Sequence, residues 1–427
     1  MPHVDRAVSP WWQRPGLEVH AGRLAVCGQD AETLARRLGT PLFVTDVDRV
    51  VENARRLRAG FRAAGFGLTL PPAIVRFALK ANRQPAVLAA LRRIAPPGDP
   101  EAVGIDACSP GEVELALAAG WRAGEISFTG TNLSDRDLDR LLPTGVHLNL
   151  DAVSQVERVG RRAPGRSIGL RLNPGRGVGY HEGLAYSGER PTKFGIYTDR
   201  LDEALAVAGR HDLVVDTVHV HAGSGWLADA LPAFEAVLDR VRTMAEQVRG
   251  AGAPLGEVNV GGGIGVPARA EEPPVEPADY ATAIRERLRP LLEAGVRVAC
   301  EPGDFVVKDA AILLAEVVTV EERGGTTFVG LDVGWNNDCA YFIYRFAQEL
   351  VVCRAADAPR DRVVTVAGHI NEAGDLFAED YAMPEVREGD IVALLNAGGY
   401  HQEEASWHCL RAPAPGIHLV RQPELPA

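Results

Sequence analysis

The chain has 427 residues, with 45 basic and 57 acidic side chains and a formal net charge of −12. That length allows two or three domains, or one α/β barrel of about 250 residues with an appended domain. The acidic balance excludes a nucleic-acid scaffold or a protein built to lie on an anionic membrane, both of which need basic patches, and no run of about 18 apolar residues is present to span a bilayer.

The first stretch of about 40 residues has mixed character and is expected to lend strands to a β domain. A short strand-like run, Leu42-Phe43-Val44-Thr45, follows. From residue 74 onward, short β-rich runs alternate with amphipathic helical stretches. The runs are 76–80, 104–109, 126–129, 147–150, 168–173, 218–224, 258–260 and 296–300. Helical stretches at 111–119, 135–142, 201–209 and 234–249 separate most of them. Eight βα units over about 225 residues predict a TIM barrel, with a doubly wound open sheet as the rival architecture. Ser109-Pro110-Gly111-Glu112 is a capping box with Pro at the first helical position, which marks the carboxyl end of the second strand. Residues 267–277, with Glu271-Glu272-Pro273-Pro274, read as a solvated acidic loop. Beyond Pro302 the pattern turns to strands: 311–320 and 326–332 as a hairpin, then 362–367, 390–395 and 418–421. The expected domains are residues 1–40, joining the β domain; 41–303, the barrel; and 304–427, the β domain.

Six cysteines stand at 27, 108, 300, 339, 353 and 409 without a CxxC pair. They read as reduced thiols of a cytoplasmic protein, and the N-terminus, with Asp5 and Arg6, lacks the apolar stretch of a secretory signal. Of the 45 basic residues only Lys80, Lys193 and Lys308 are lysine. Where arginine serves for charge alone, a retained lysine is a candidate for amine chemistry, since only an ε-amine can deprotonate and attack a carbonyl. Lys80 closes the first barrel run. His219 and His221 close the sixth, two residues apart and so on one face of a strand. They admit three readings: core histidines, metal ligands of a hydrolase, or one ring stacked on a cofactor above Gly223 and Ser224. Gly261-Gly262-Gly263 follows the seventh run, either as a plain turn or as a nest of backbone N–H groups for a phosphate. Glu301 ends the eighth run, where a carboxylate can pair with a protonated ring nitrogen. A lysine, a flat imidazole, a glycine nest and a carboxylate at one barrel mouth are the parts of a pyridoxal phosphate site.

These residues also carry a family likeness. Phe77-Ala78-Leu79-Lys80-Ala81-Asn82, Asp106-Ala107-Cys108-Ser109 with Gly111-Glu112, Leu170-Arg171-Leu172-Asn173-Pro174 and Lys193-Phe194-Gly195-Ile196 stand in order. His221 with Gly223-Ser224, the three glycines, Glu301-Pro302-Gly303, then Glu372, Asp375, Gly399 and Tyr400 continue it. The chain resembles, over nearly its whole length, the fold-type III pyridoxal-phosphate decarboxylases, most of all the diaminopimelate decarboxylase branch, with ornithine and arginine decarboxylases as cousins. The resemblance implies an alanine-racemase-like barrel with a β-sandwich or β-barrel domain. It implies pyridoxal 5'-phosphate in Schiff-base linkage to Lys80, stacked by His221, with its ring nitrogen held protonated by Glu301. Asp106, Arg171, Ser224, Gly261, Gly262, Gly263, Gly303 and Tyr400 would join in holding the cofactor. It further implies a homodimer in which loop 368–375 of one copy completes the other's site.

Three departures bear on substrate. Asn371 stands where the family has a cysteine that returns a proton to the substrate carbon, so Lys80, Tyr400 or water must serve. Asp304 replaces an arginine after Glu-Pro-Gly and is expected to turn away or meet a cation. Ala340-Tyr341 replaces an Arg-Pro pair ahead of Tyr344, and Arg345 replaces the acid of the ornithine branch. Loss of both arginine clamps removes the bidentate grip on a distal carboxylate. The expected function is decarboxylation of a small amino-acid substrate other than diaminopimelate, with its far carboxyl masked as an amide or a carrier-protein thioester, as in natural-product pathways. Tyr344, Arg345, Glu372 and Asp304 are its expected contacts, an acyl carrier protein is a possible partner, and no metal is expected. A racemase, a catalytically silent regulatory homologue and a metal-dependent hydrolase using His219 and His221 are the competing functions.

Overall fold

The structure is a computed structural model and describes residues 10–179, 188, 190–411 and 417–422. The described residues fall into two compact units. One takes residues up to 49, residues 267–272 and residues from 308 onward; the other takes 50–266 and 273–307.

The second unit is a barrel. Its eight parallel strands are Ile74–Ala78, Val103–Ala107, Ile126–Gly130, His147–Leu150, Ser167–Asn173, Val214–His219, Glu257–Asn259 and Arg297–Cys300. Each pairs in parallel with its neighbour, and the eighth pairs back onto the first, which closes the ring. The two-residue strand Ile196–Tyr197 is an extra flank on the fifth. The open-sheet rival is thereby excluded. Aliphatic residues such as Val75, Ile105, Leu148, Leu170 and Val258 alternate along these strands and are buried, as a two-sided sheet wrapped by helices requires. Toward the amino ends of the strands the barrel also carries charge. Arg76 meets Glu257 through two hydrogen bonds of 2.5 and 3.0 Å, and Asp216 accepts from His147 and Ser167.

Local sequence sets the helices. Ser109 Oγ accepts from Glu112 N at 3.2 Å, and Pro110 opens the helix Pro110–Ala118. Glu112 returns its carboxylate to Cys108 N, one residue ahead of the cap, at 2.7 Å. Ser134 and Asp137 form a full reciprocal box at the start of Asp135–Leu141.

Two strands end earlier than their sequence patterns suggest. The first stops at Ala78, and Lys80 sits in the 3₁₀ turn Leu79–Ala81. The sixth stops at His219, so His221 and Ser224 lie in the loop beyond it. The expectation that His219 and His221 share a strand face is therefore corrected. Apolar residues run past the last ladder bond because the loops at this end are packed as tightly as the strands.

The first unit is built on the long strand Ala311–Arg323. It pairs antiparallel with Thr326–Leu331 through Gly324-Gly325, both at positive φ, as a two-residue hairpin turn demands. It also pairs with Ile391–Leu394 and with Leu42–Asp46. Arg362–Ala367 joins Thr326–Leu331 in parallel and Leu376–Met383 antiparallel. Leu42–Asp46, placed with the barrel by sequence order, thus belongs to the β unit. Leu17–His20, Arg23–Val26 and Gln29–Asp30 form a separate three-stranded sheet in the same unit. Trp12, Leu17, Leu24 and Val26 share one core with Leu314, Val351 and Ile391.

Candidate active site

The carboxyl ends of the barrel strands collect the predicted chemistry. Lys80 follows the first strand, Asp106 lies on the second, Arg171 on the fifth, His221 after the sixth, and Glu301 follows the eighth. Several of them lie within electrostatic reach of one another. Asp106 is pushed well above the usual carboxylate range by burial and by the like charge of Glu301, with Lys80 and Arg171 pulling it back. Burial drives His221 well below its ordinary value, and the nearby charges of Lys80 and Arg171 add to the effect. His221 Nδ1 accepts from Gly262 N at 3.3 Å. The ring is therefore a neutral imidazole with its proton on Nε2.

Glu301 is 6 % exposed. Burial raises its pKa, but His219, by charge and hydrogen bond, together with Arg76 and Asn259, outweighs burial and carries the group down to about 2. His219 Nε2 lies 2.9 Å from one carboxylate oxygen, and Asn259 Nδ2 donates to the other at 2.6 Å. Asn259 Oδ1 in turn accepts from Gly261 N at 3.0 Å. A buried carboxylate is thus held ionised by protein donors alone.

The glycine run has a packing reason that the sequence hides. A Cβ on Gly262 would stand 2.0 Å from the Glu301 carbonyl oxygen, and one on Gly263 would stand 2.0 Å from that of Gly223. Three neighbouring loops approach backbone to backbone, and only glycine permits it. Gly261 N and Gly262 N donate to Asn259 and His221, so the run is not an open nest along its whole length. Ser224 N donates to Val178 O at 3.2 Å. Gly303 caps the turn into the helix Asp304–Val307, and its carbonyl accepts from Val306 N at 3.0 Å. Asp304 is buried in that first turn. The Arg171 guanidinium lies over the Phe194 ring, 4.6 Å from its centroid.

The residues fit pyridoxal phosphate. Asp106 Oδ1 is buried without a hydrogen-bond partner among the described residues, a polar position that a ligand can complete. It lies within electrostatic reach of an amine suited to an aldehyde and an ionised carboxylate suited to a ring cation. Among the described residues no group of three or more metal-ligating side chains occurs, and His219 is tied to Glu301. These observations leave the two-histidine metal reading without a ligand set.

The remaining predicted residues belong to the β unit. Asn371 and Glu372 are exposed, in a turn held by Asp375, whose carboxylate accepts from Trp335 N and Ile370 N at 2.7 and 2.6 Å. Glu372 pairs with His408 Nε2 at 2.7 Å. Tyr344 donates to Glu404 at 2.7 Å, and the Arg345 guanidinium lies 5.5 Å from the Tyr341 ring centroid. Tyr400 adopts φ +67°, an uncommon backbone state for a residue with a Cβ. Sequence reasoning missed three partners: His219 and Asn259 on Glu301, and His408 on Glu372. The HxH spacing and the asparagine before the glycine run were visible, but nothing in one sequence says which carboxylate they meet.

Comparison with known proteins agrees with this geometry. Residues 57–308 match the family described as pyridoxal-dependent decarboxylase, pyridoxal binding domain. A diaminopimelate decarboxylase of Methanothermobacter thermautotrophicus is 36% identical over 96% of this chain and 93% of its own. The Streptomyces coelicolor enzyme of that name is 32% identical over 92% and 87%. Among solved structures, a diaminopimelate decarboxylase superposes with TM-score 0.78 at 29% identity, covering 92% of each chain. The Helicobacter pylori enzyme complexed with L-lysine gives 0.76 at 26%, covering 88% of this chain and 91% of that one.

Proposed function

The chain belongs to the pyridoxal-dependent decarboxylases, and within that family we propose that it removes the α-carboxyl of an amino acid whose distal carboxyl is masked. Bound pyridoxal phosphate supplies an aldehyde for the substrate amine and a ring that takes up the electron pair left when CO2 departs. The chain's own residues do the rest. Lys80 would hold the aldehyde through its ε-amine. His221, neutral, offers a flat face with no charge of its own. Glu301, held ionised, would keep the ring nitrogen protonated and so sustain the electron demand of the ring. Asp106 and Arg171 border the same mouth. Ser224, Gly303, Tyr400 and the glycine run are assigned to the phosphate; of Gly261, Gly262 and Gly263, the last is the one whose N–H is not already seen donating to Asn259 or His221. The observation that carries this reading is the meeting of Lys80, His221 and an ionised Glu301 at one barrel mouth.

The substrate reading rests on what has been replaced. Asp304 and Ala340-Tyr341 leave no arginine fork at the positions where the resemblance expects one, Arg345 lies against Tyr341, and Glu372 is engaged by His408. Tyr344, Arg345, Glu372 and Asp304 are the proposed contacts to a substrate lacking a free distal carboxylate. The active form is proposed to be a homodimer sharing loop 368–375, and an acyl carrier protein is the proposed bearer of a thioester-linked substrate. The test has two parts. Borohydride reduction of the protein with pyridoxal phosphate, followed by peptide mapping, should place the adduct on Lys80. CO2 release should be faster from ω-amides or thioesters than from free diaminopimelate, and efficient turnover of the free diacid would refute the substrate reading. Asn371 favours one second reading, racemisation: Cα–H exchange in D2O without CO2 release would establish it.

A further inference from the structure

His219 is given no contact with cofactor or substrate above, yet it is among the most deeply buried polar groups at the mouth, 1 % exposed. Its Nε2 faces Glu301 at 2.9 Å, so Nε2 carries a proton and donates it to the carboxylate. Its Nδ1 is buried without a hydrogen-bond partner among the described residues. Burying an imidazole with one nitrogen unsatisfied costs stability, and a valine or phenylalanine would fill the space without that cost. Asn259, fully buried, takes the other oxygen of the same carboxylate and is fixed in turn by Gly261 N. With both oxygens tethered, the plane and rotamer of Glu301 are set before any ligand arrives.

We propose that His219 is a positioning residue that acts through Glu301, fixing the carboxylate in the orientation and charge state that select a protonated cofactor ring. This rests on the reading of the barrel mouth as a pyridoxal phosphate site. Preorganised donors of this kind spare the site from reordering when charge appears on the ligand.

The test measures binding to the purified apo-protein, not turnover. Two probes are used: pyridoxal 5'-phosphate and its carbocyclic analogue, in which a C–H replaces the ring nitrogen. Two variants are compared with the unaltered chain: His219→Leu, which removes the donor, and His219→Gln, whose amide nitrogen can stand where Nε2 stands. We expect His219→Leu to weaken pyridoxal phosphate by roughly tenfold to a hundredfold, the range of a hydrogen bond to a charged group. Its affinity for the analogue should stay within about twofold of the unaltered chain, and His219→Gln should recover most of the lost affinity. Equal weakening toward both probes would mean that His219 only supports the fold, and would overturn the proposal. Unchanged affinity for pyridoxal phosphate in His219→Leu would do the same. If the unaltered chain binds pyridoxal phosphate no better than the analogue, Glu301 does not read the ring nitrogen, and the underlying site reading fails as well. That outcome is seen without any variant, so the two failures are separable.

Discussion

Replacing Gly262 with alanine tests the barrel mouth with a single methyl group. The added Cβ would lie 2.0 Å from the Glu301 carbonyl oxygen and 2.9 Å from its carbonyl carbon, whereas ordinary contact begins at 3.4 Å. About 1.4 Å must therefore open between two backbones, and no flexible side chain is there to yield. Glu301 N donates to Gly261 O at 2.8 Å, and Gly262 N donates to His221. Opening the gap loosens both, so the His221 imidazole and the Glu301 carboxylate move together. Overpacking of this kind costs about 1–3 kcal/mol, read in a thermal scan as about 2–4 °C per kcal/mol for a unit of this size. A misplacement of about 1 Å at a reacting centre costs on the order of a hundredfold in rate. Gly262→Ala should therefore lower Tm modestly and kcat/KM severely, with weakened cofactor binding. Gly209→Ala is the control: it lies in the last turn of the helix Leu201–Arg210, its Cβ would meet nothing within 4 Å, and alanine there should leave stability unchanged or raise it by at most about 1 kcal/mol. A Gly262→Ala protein with unaltered Tm and cofactor affinity would show that the loops do not pack as described.

Other predictions follow from the same structure. Lys80→Arg keeps charge and size but cannot attack an aldehyde; it should fold normally, give no borohydride-trapped adduct by mass spectrometry and lose at least about a hundredfold in rate. Arg76→Met leaves Glu257 buried without its bidentate partner and should cost about 3–5 kcal/mol in denaturant unfolding, most of which the double change Arg76→Met, Glu257→Met should return; a single variant as stable as the parent would contradict the pairing. Asp375→Asn can accept only one of the two backbone bonds from Trp335 and Ile370, so about 1–3 kcal/mol should be lost and proteolysis within 368–374 should quicken. Asp30, which caps the helix Ala31–Leu38, is held down to about 2 by its hydrogen bond to Arg23, against desolvation, with Thr33 assisting. A carboxyl depressed on folding adds stability above its unfolded value, near 4, and loses it as pH falls through the folded one. The Asp30→Ala deficit, about 0.5–2 kcal/mol at neutral pH, should therefore shrink between about pH 4 and pH 2.

Much of this was legible in the sequence, and the failures have common causes. Strand count and order follow from the alternation of short apolar runs with amphipathic stretches, and Ser109-Pro110 marks a helix start by its own chemistry. Lys80, His221 and Glu301 stood out because amine, imidazole and carboxylate recur at the ends of strands. Their exact ladder positions were misjudged, since Leu79, Val220 and Ala222 are as buried as strand residues although they lie beyond the last paired residue. Leu42–Asp46 was assigned by sequence order to the barrel; its partner, Ala311–Arg323, is more than 260 residues away, and no local pattern encodes such a pairing. The glycine run leaves a turn and a ligand nest both open in the sequence, because a glycine's usual signal is the same whether a phosphate or another backbone comes close. The Glu301–His219–Asn259 network was invisible for a related reason: three buried polar residues on different strands have no shared period.

Where the departures fall in the chain bears on the proposed specificity. The barrel holds the family's lysine, imidazole and carboxylate in place, and their geometry supports the same cofactor chemistry. Asn371, Ala340-Tyr341 and Arg345 all lie in the β unit, and only Asp304 among the departures lies in the barrel unit. Losing a cofactor-facing group abolishes every reaction of the cofactor, whereas exchanging a group that grips the substrate's far end changes which substrate is accepted, by the free energy of one or two charge-assisted bonds. The substrate reading proposed above rests on this contrast: the first set is intact and the second altered. A silent homologue would be under no constraint to keep a buried imidazole with an unsatisfied nitrogen beside a buried carboxylate. The decisive contrast is a chimeric one: restoring arginine at 304 and Arg-Pro at 340–341 together should raise kcat/KM for free diaminopimelate by at least about tenfold while leaving the Lys80 adduct unchanged. No gain with the adduct intact would mean that substrate choice is set elsewhere.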